Sequence, residues 1–305
     1  MNKFLILGVS AMALSACSGS TLPTFGPGGG GGGDGVDTPI IEGDTCETST
    51  YSCSGDVLAV SYDADTDTLR ITGTPFDETP LPGTYVRADT INNLTIPFSN
   101  FDYGSDNLNG FAAYENDDGF AINPYFALNQ TSADGSVTVG QSAVADGYRS
   151  YGYGGYWIRV NEAASLPGAE LAYYDGDFAG IIALQGDTGA ASTIQLSEGD
   201  VFFEVDFTDG FIKGQTFGRT IDGDAAAEIV FDDVAFDGTT FSGNATSVGL
   251  DNNWEGTYAG AFTGANGETL GGVFITEQSN FSDDEDLTAR ETAIFIATKT
   301  PRVER

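Results

Sequence analysis

The sequence predicts an all-β protein: a β-rich N-terminal domain followed by an eight-stranded antiparallel up-and-down β-barrel. Three observations carry that expectation. No segment repeats its apolar residues at helical spacing, whereas short runs rich in Val, Ile, Tyr, Phe and Thr alternate apolar with polar. Asp-Gly, Asn-Gly and Pro-Gly pairs punctuate those runs, and these are residues that tight turns require. Towards the C-terminus, glycines interleave with aromatic residues at a period of two, a pattern of closely approaching backbones at barrel corners.

Bulk composition sets the limits. A chain of 305 residues, 40% hydrophobic and 18% charged, can bury one large or two medium cores. Its net charge is −34, with 45 acidic against 11 basic residues. Such a surface repels phosphate backbones and anionic headgroups, so nucleic acid is not an expected partner, nor is a membrane held by charge alone. Histidine is absent. That removes Ser-His-Asp and Cys-His catalysis, His-ligated zinc and any imidazole switch. Only paired carboxylates would remain for an enzyme, and the chain is read as a non-enzyme with no cofactor.

The N-terminus sets the compartment. Lys3 precedes the short apolar run 4–14, which has the length of a secretory signal and not the ~20 apolar residues of a membrane span. The run ends in Leu14-Ser15-Ala16-Cys17, which resembles the lipobox of bacterial lipoproteins. That resemblance implies residues 1–16 as a signal peptide and acylation of Cys17; Ser18 after it implies the outer membrane. Several acyl chains on one residue anchor stably, each buried CH₂ contributing about 0.8 kcal/mol. Residues 17–43, with six consecutive glycines from Gly28 to Gly33, read as a flexible tether. Its root-mean-square reach is on the order of 25–30 Å. Cys46 and Cys53 are the remaining cysteines, and in an exported protein they favour a disulfide closing a small loop. A redox site would lack the C-x-x-C spacing, and two thiolates without histidine would make an incomplete metal site.

Residues 44–168 form the first domain, with candidate strands at 57–62, 69–73, 85–89, 110–115, 120–125, 136–139 and 156–160. Asp63, Asp65 and Asp67 have the spacing that opens a calcium loop, but Thr68 and Thr74 stand where an EF-hand needs Gly and Glu, so a polar turn is expected. The stretch from Tyr148 to Trp157 concentrates five aromatics among glycines. These rings are expected to fill the junction between two β-domains, the alternative being a stacking surface for sugars, bases or a protein.

Residues 169–300 carry eight expected strands, at 171–183, 201–207, 211–217, 227–236, 240–247, 255–262, 271–277 and 291–298. Thr208-Asp209-Gly210 and Asp237-Gly238 read as hairpin turns. Val201, Phe203, Val205 and Phe207 share one face, with Glu204 and Asp206 on the other. The parity of Ile229 and Phe231 slips against that of Val234 and Phe236, which predicts a bulge at Asp232-Asp233. Tyr258, Gly260 and Phe262 share one face of the next strand, and Gly272, Phe274 and Thr276 share one of the strand after it.

Around that pair, Gly260, Phe262, Gly264, Gly271, Gly272 and Phe274 resemble the closing barrel motif of transferrin-binding protein B and factor H-binding protein, with Glu268 one place early. Val205-Asp206-Phe207 with Gly210 to Gly214, and Phe295 to Lys299, resemble further strands of that family. The resemblance implies a handle-like sheet before the barrel. It also implies a surface-exposed lipoprotein binding a macromolecule or small solute, in iron acquisition or host-factor capture, with a TonB-dependent receptor as candidate partner. The rival readings are a structural or adhesive envelope lipoprotein and a carboxylate-dependent glycan hydrolase. No spacing singles out a catalytic pair, and Asp283 to Asp286 read as a solvated hairpin loop.

Overall fold

The computed structural model describes residues 51–55, 57, 59–72, 75–76, 79–80, 83–88, 106–116, 125–146, 151–185, 194–248, 253–279 and 288–301. Among them every regular element is a strand. The first set comprises β1 (Tyr51–Gly55), β2 (Ala59–Asp63), β3 (Thr68–Thr72), β4 (Pro75–Phe76), β5 (Thr79–Pro80) and β6 (Gly83–Arg87). It continues with β7 (Asn107–Leu108), β8 (Phe111–Asn116), β9 (Tyr125–Thr131), β10 (Val137–Asp146) and β11 (Tyr151–Val160). These pair antiparallel in the order β1-β11-β10-β9-β8-β6-β3-β2, with β7 on β8 and the short β4–β5 pair apart.

The second set is β12 (Leu171–Gln185), β13 (Ile194–Asp206), β14 (Phe211–Ile221), β15 (Asp224–Ala225), β16 (Glu228–Ala235), β17 (Thr240–Val248), β18 (Glu255–Thr263), β19 (Thr269–Ser279) and β20 (Thr288–Thr300). Each long strand pairs with its successor, and β20 returns to β12 from Tyr173↔Thr300 to Gln185↔Thr288. The sheet is therefore a closed eight-stranded barrel with no free edge; β15 is a two-residue flap on β14.

All eight expected strands are present, some longer than alternation indicated. β13 begins at Ile194 and not at 201, running through Ser197-Glu198-Gly199-Asp200. That polar run reads as loop, but Ser197 is fully buried and bonded inside the barrel. The expected bulge falls where parity placed it: Ile212 pairs with Val234 and Gly214 with Phe231, so Asp232 and Asp233 oppose Lys213 alone. In the first domain, β10 and β11 extend beyond the expected 136–139 and 156–160. The expected strand 120–125 gives way to β9 from Tyr125, residues 117–124 lying outside the described set.

The barrel is filled by its own rings. Phe203 stacks on Phe231 at 5.4 Å between centroids, and Phe295 lies 5.1 Å from Phe203. Phe178 meets Phe274 edge-on at 5.3 Å, while Phe236, Phe207 and Phe262 close one end. An eight-stranded cylinder has room for little more than such side chains. Outside it, Ile181, Leu196, Val273 and Ile294 pack against Phe126, Leu128, Val139 and Ile158 of the first sheet. A third cluster, including Tyr85, Tyr114 and Trp157, is the first sheet's own core. Of the aromatic run, Tyr156 joins the junction and Trp157 the first sheet's own core.

Candidate functional site

The closing motif lies on β18, β19 and the turn between them. Gly260, Phe262, Gly272 and Phe274 share the barrel's inner face; a Cβ on Gly260 would sit 2.4 Å from Phe241 Cζ, and one on Gly272 2.2 Å from Phe295 Cζ. Gly271 faces outward, where a Cβ would lie 2.5 Å from Cγ2 of Val137. The two adjacent glycines therefore admit different neighbours, one a core ring and the other the first sheet. Gly264 and Gly267 take φ of +81° and +69° in the turn, a region costly for any residue with a Cβ. Glu268 holds that turn by accepting from the backbone and side-chain nitrogens of Asn266, at 2.8 and 2.7 Å.

Next to this turn, the β9–β10 hairpin is fastened to the barrel through Asp134, a residue the sequence reading did not single out. Its Oδ1 accepts from Ser132 Oγ (2.6 Å), Ser136 N (3.0 Å) and Ser136 Oγ (2.7 Å). Its Oδ2 accepts from Thr269 Oγ1 of the barrel at 2.7 Å, and Ser136 Oγ lies 2.9 Å from Thr263 Oγ1. Partial burial pushes the Asp134 carboxyl up, but the donors of Ser132, Ser136 and Thr269 outweigh it and bring it down to about 2. A carboxyl depressed in the folded state stabilises above its unfolded value, near 3.8, and that contribution is lost as the pH falls towards about 2. Acidification through this window is expected to loosen the hairpin from the barrel. Faster hydrogen exchange at β10 than at β19 would register it; equal rates down to the lower end would contradict it.

The opposite end of the lumen holds an ion pair that no local pattern indicated. Arg219 and Glu291 side chains are both 0% exposed, and Arg219 Nη2 donates to Glu291 Oε2 at 2.7 Å. Arg219 Nη1 donates to Ala227 O at 2.9 Å, and its guanidinium lies 5.1 Å over the Trp254 ring. Ser197 Oγ and Thr276 Oγ1 donate to the carboxylate at 2.5 and 3.2 Å. The nearest sequence signal is Gly218, whose φ of +62° marks the irregularity in β14 that turns Arg219 inward.

The remaining expectations fall as follows. Asp63 Oδ1 accepts from the amides of Asp65 and Thr66, an Asx turn. Asp67 takes hydroxyl bonds from Tyr62 and Tyr114 at 2.9 and 2.8 Å, so its carboxylate serves the sheet's core. Among the described residues no group of acidic or thiol ligands is disposed around a cation position. Cys17, Cys46 and Asp283 to Asp286 lie outside the described residues; Cys53 is placed on β1 opposite Trp157.

The described residues thus form a solid barrel with a broad sheet packed on one wall. Residues 166–299 match the family model described as the C-lobe and N-lobe beta barrels of Tf-binding protein B. No curated protein matches the chain by sequence. Among solved structures, a transferrin binding protein B variant from Haemophilus parasuis Hp5 is 14% identical over 83% of this chain and 45% of its own, with a TM-score of 0.45. A protein described as a surface lipoprotein is 15% identical over 83% of this chain and 100% of its own, with a TM-score of 0.40. The isotype 1 transferrin binding protein B of serogroup B Neisseria meningitidis is 19% identical over 64% of this chain and 36% of its own, with a TM-score of 0.36. The chain thus spans less than half the length of the transferrin binding proteins from Haemophilus parasuis and Neisseria meningitidis.

Proposed function

We propose that the protein is an outer-membrane, surface-exposed lipoprotein that binds a macromolecular or small-solute ligand. Residues 1–16 are its signal peptide, 17–43 its tether, 44–168 the handle-like domain and 169–300 the barrel. One observation carries the reading: a barrel that matches the family model and whose lumen is occupied by its own Phe203, Phe231, Phe274 and Phe295. Such a body offers ligands its strand ends, loops and outer walls. The transferrin binding names of similar chains support iron acquisition or host-factor capture, with a TonB-dependent receptor as second partner. The reading is non-enzymatic, since a chain without histidine carries none of the imidazole-based machinery.

Two measurements test it. In a Gram-negative host, the full chain is expected to incorporate labelled palmitate and to be shaved from intact cells by protease, and Cys17→Ser is expected to lose the label. Retention of label in that variant contradicts the anchor. Surface plasmon resonance against apo- and iron-loaded transferrin, complement regulators and haem is expected to give saturable binding to one of them. Silence across the panel favours a structural envelope role, and turnover on glycans a hydrolase.

A further inference from the structure

The outer wall of the barrel is not uniform. One side is covered by the first sheet, and the β16–β17 side is mainly polar, exposing Asp232, Asp233, Ser242, Asn244 and Thr246, with Val248 alone as a large apolar residue at its end. The wall of β12, β13 and β14 is different. Its register places Tyr173, Glu204 and Lys213 in one row, and Asp177, Asp200 and Phe217 in another. Across these rows runs an aromatic stripe: Tyr173 stacks on Phe202 at 5.9 Å and 20°, and Phe202 meets Phe217 edge-on at 6.4 Å. Phe217 is 43% exposed, and Phe211 at the far end 45%. Large apolar side chains left contiguous in water are a mark of an interaction surface.

The second observation is electrostatic. Asp177 and Asp200 stand directly opposite each other on neighbouring strands, an arrangement that destabilises a sheet. Among the described residues neither meets a basic side chain, although Lys213 two rows away is paired with Glu204 at 2.9 Å. Partial burial, then the charge of Asp200, raises the Asp177 carboxyl above its ordinary range. Asn109 of the first sheet donates to Phe178 O and Gly199 O at 3.1 and 2.8 Å, so this pair borders the covered part of the wall.

We infer that the β12–β14 wall docks a basic protein segment, whose Lys or Arg groups lie between Asp177 and Asp200 while its apolar side chains cover Tyr173, Phe202 and Phe217. A cation there relieves the repulsion between the two carboxylates, and the neighbouring ring faces attract it further. The inference uses neither the strand-end loops nor the acylation of Cys17, so it stands or falls independently of the ligand proposed above.

The test titrates the isotope-labelled full chain with a short synthetic peptide of alternating arginine and leucine, followed by NMR. Saturable shifts confined to β12–β14 are expected, weakening as salt rises from about 50 to about 300 mM. Asp177→Asn with Asp200→Asn is expected to weaken binding about tenfold or more while leaving the melting temperature equal or higher, which separates lost binding from lost folding. Phe217→Ser is expected to weaken it similarly. Asp65→Asn with Glu162→Gln, the same charge change at exposed positions on and beside the first sheet, is expected to leave affinity unchanged. Equal weakening by both double variants, shifts spread over the surface, or no saturation overturns the inference. So does self-association of the chain that Phe217→Ser abolishes without peptide binding.

Discussion

Glu291→Ala is expected to destabilise the barrel by about 3–5 kcal/mol, because it leaves the Arg219 guanidinium charged and uncompensated in a lumen without water contact. Typical domains are stable by only about 5–15 kcal/mol, so such a loss is a large fraction of the total. The mechanism sits in the surroundings of the pair: both side chains are fully buried, and the carboxylate takes bonds from Arg219, Ser197 and Thr276. Trp254 and the carbonyl of Ala227 satisfy part of the guanidinium but neutralise none of its charge. Replacing both partners, Arg219→Met with Glu291→Leu, is expected to recover most of the stability, since apolar groups of similar volume need no compensation. Urea denaturation of Glu291→Ala and of the double variant provides the measurement. A single-variant loss below about 1 kcal/mol would mean that the charge is solvated after all.

The second large effect is expected at the paired glycines. Gly271→Val drives a side chain into Val137, whose Cγ2 lies 2.5 Å from the site of the new Cβ, and so wedges the first sheet off the barrel. Gly272→Val instead meets Phe295 at 2.2 Å and overpacks the lumen. Overpacking costs about 1–3 kcal/mol, occasionally more, but the two variants spend it in different places. With Gly271→Val, the apolar interface of Ile181, Val273 and Ile294 opens: dye binding rises and β10 amides exchange faster, with barrel amides still protected. With Gly272→Val, barrel protection itself falls. Adding Val137→Ala to Gly271→Val is expected to restore docking, a coupling that a double-mutant cycle measures directly. Identical exchange patterns in the two glycine variants would refute the division of roles.

How much of this was legible beforehand depends on the range over which each feature acts. The strands from Leu171 onward could be read because alternation and turn residues are local, and because Thr208-Asp209-Gly210 closes its hairpin through neighbours, Asp206 bonding Thr208 at 2.8 Å. The bulge at Asp232-Asp233 was readable for the same reason: a parity slip is written in adjacent residues. The start of β13 was not, since Ser197 to Asp200 look like loop until Glu291 is placed across the lumen. Nor was the split within the aromatic run, where neighbouring Tyr156 and Trp157 necessarily take opposite faces of β11 and join different cores.

By itself, then, the sequence determined the strand rhythm, the turns, the glycine positions and an all-β chain, because each follows from backbone geometry over a few residues. The eight-stranded cylinder was indicated only by the number of strands and by the family resemblance. Tertiary structure alone decided which charges are used inside. Arg219 turns inward at an irregularity after Gly218 and meets a carboxylate 72 positions on, and Asp134 meets Thr269 at a separation of 135. Those partners are set by barrel closure and by the docking of two sheets, and a contact created by closure leaves no mark on the residues beside it.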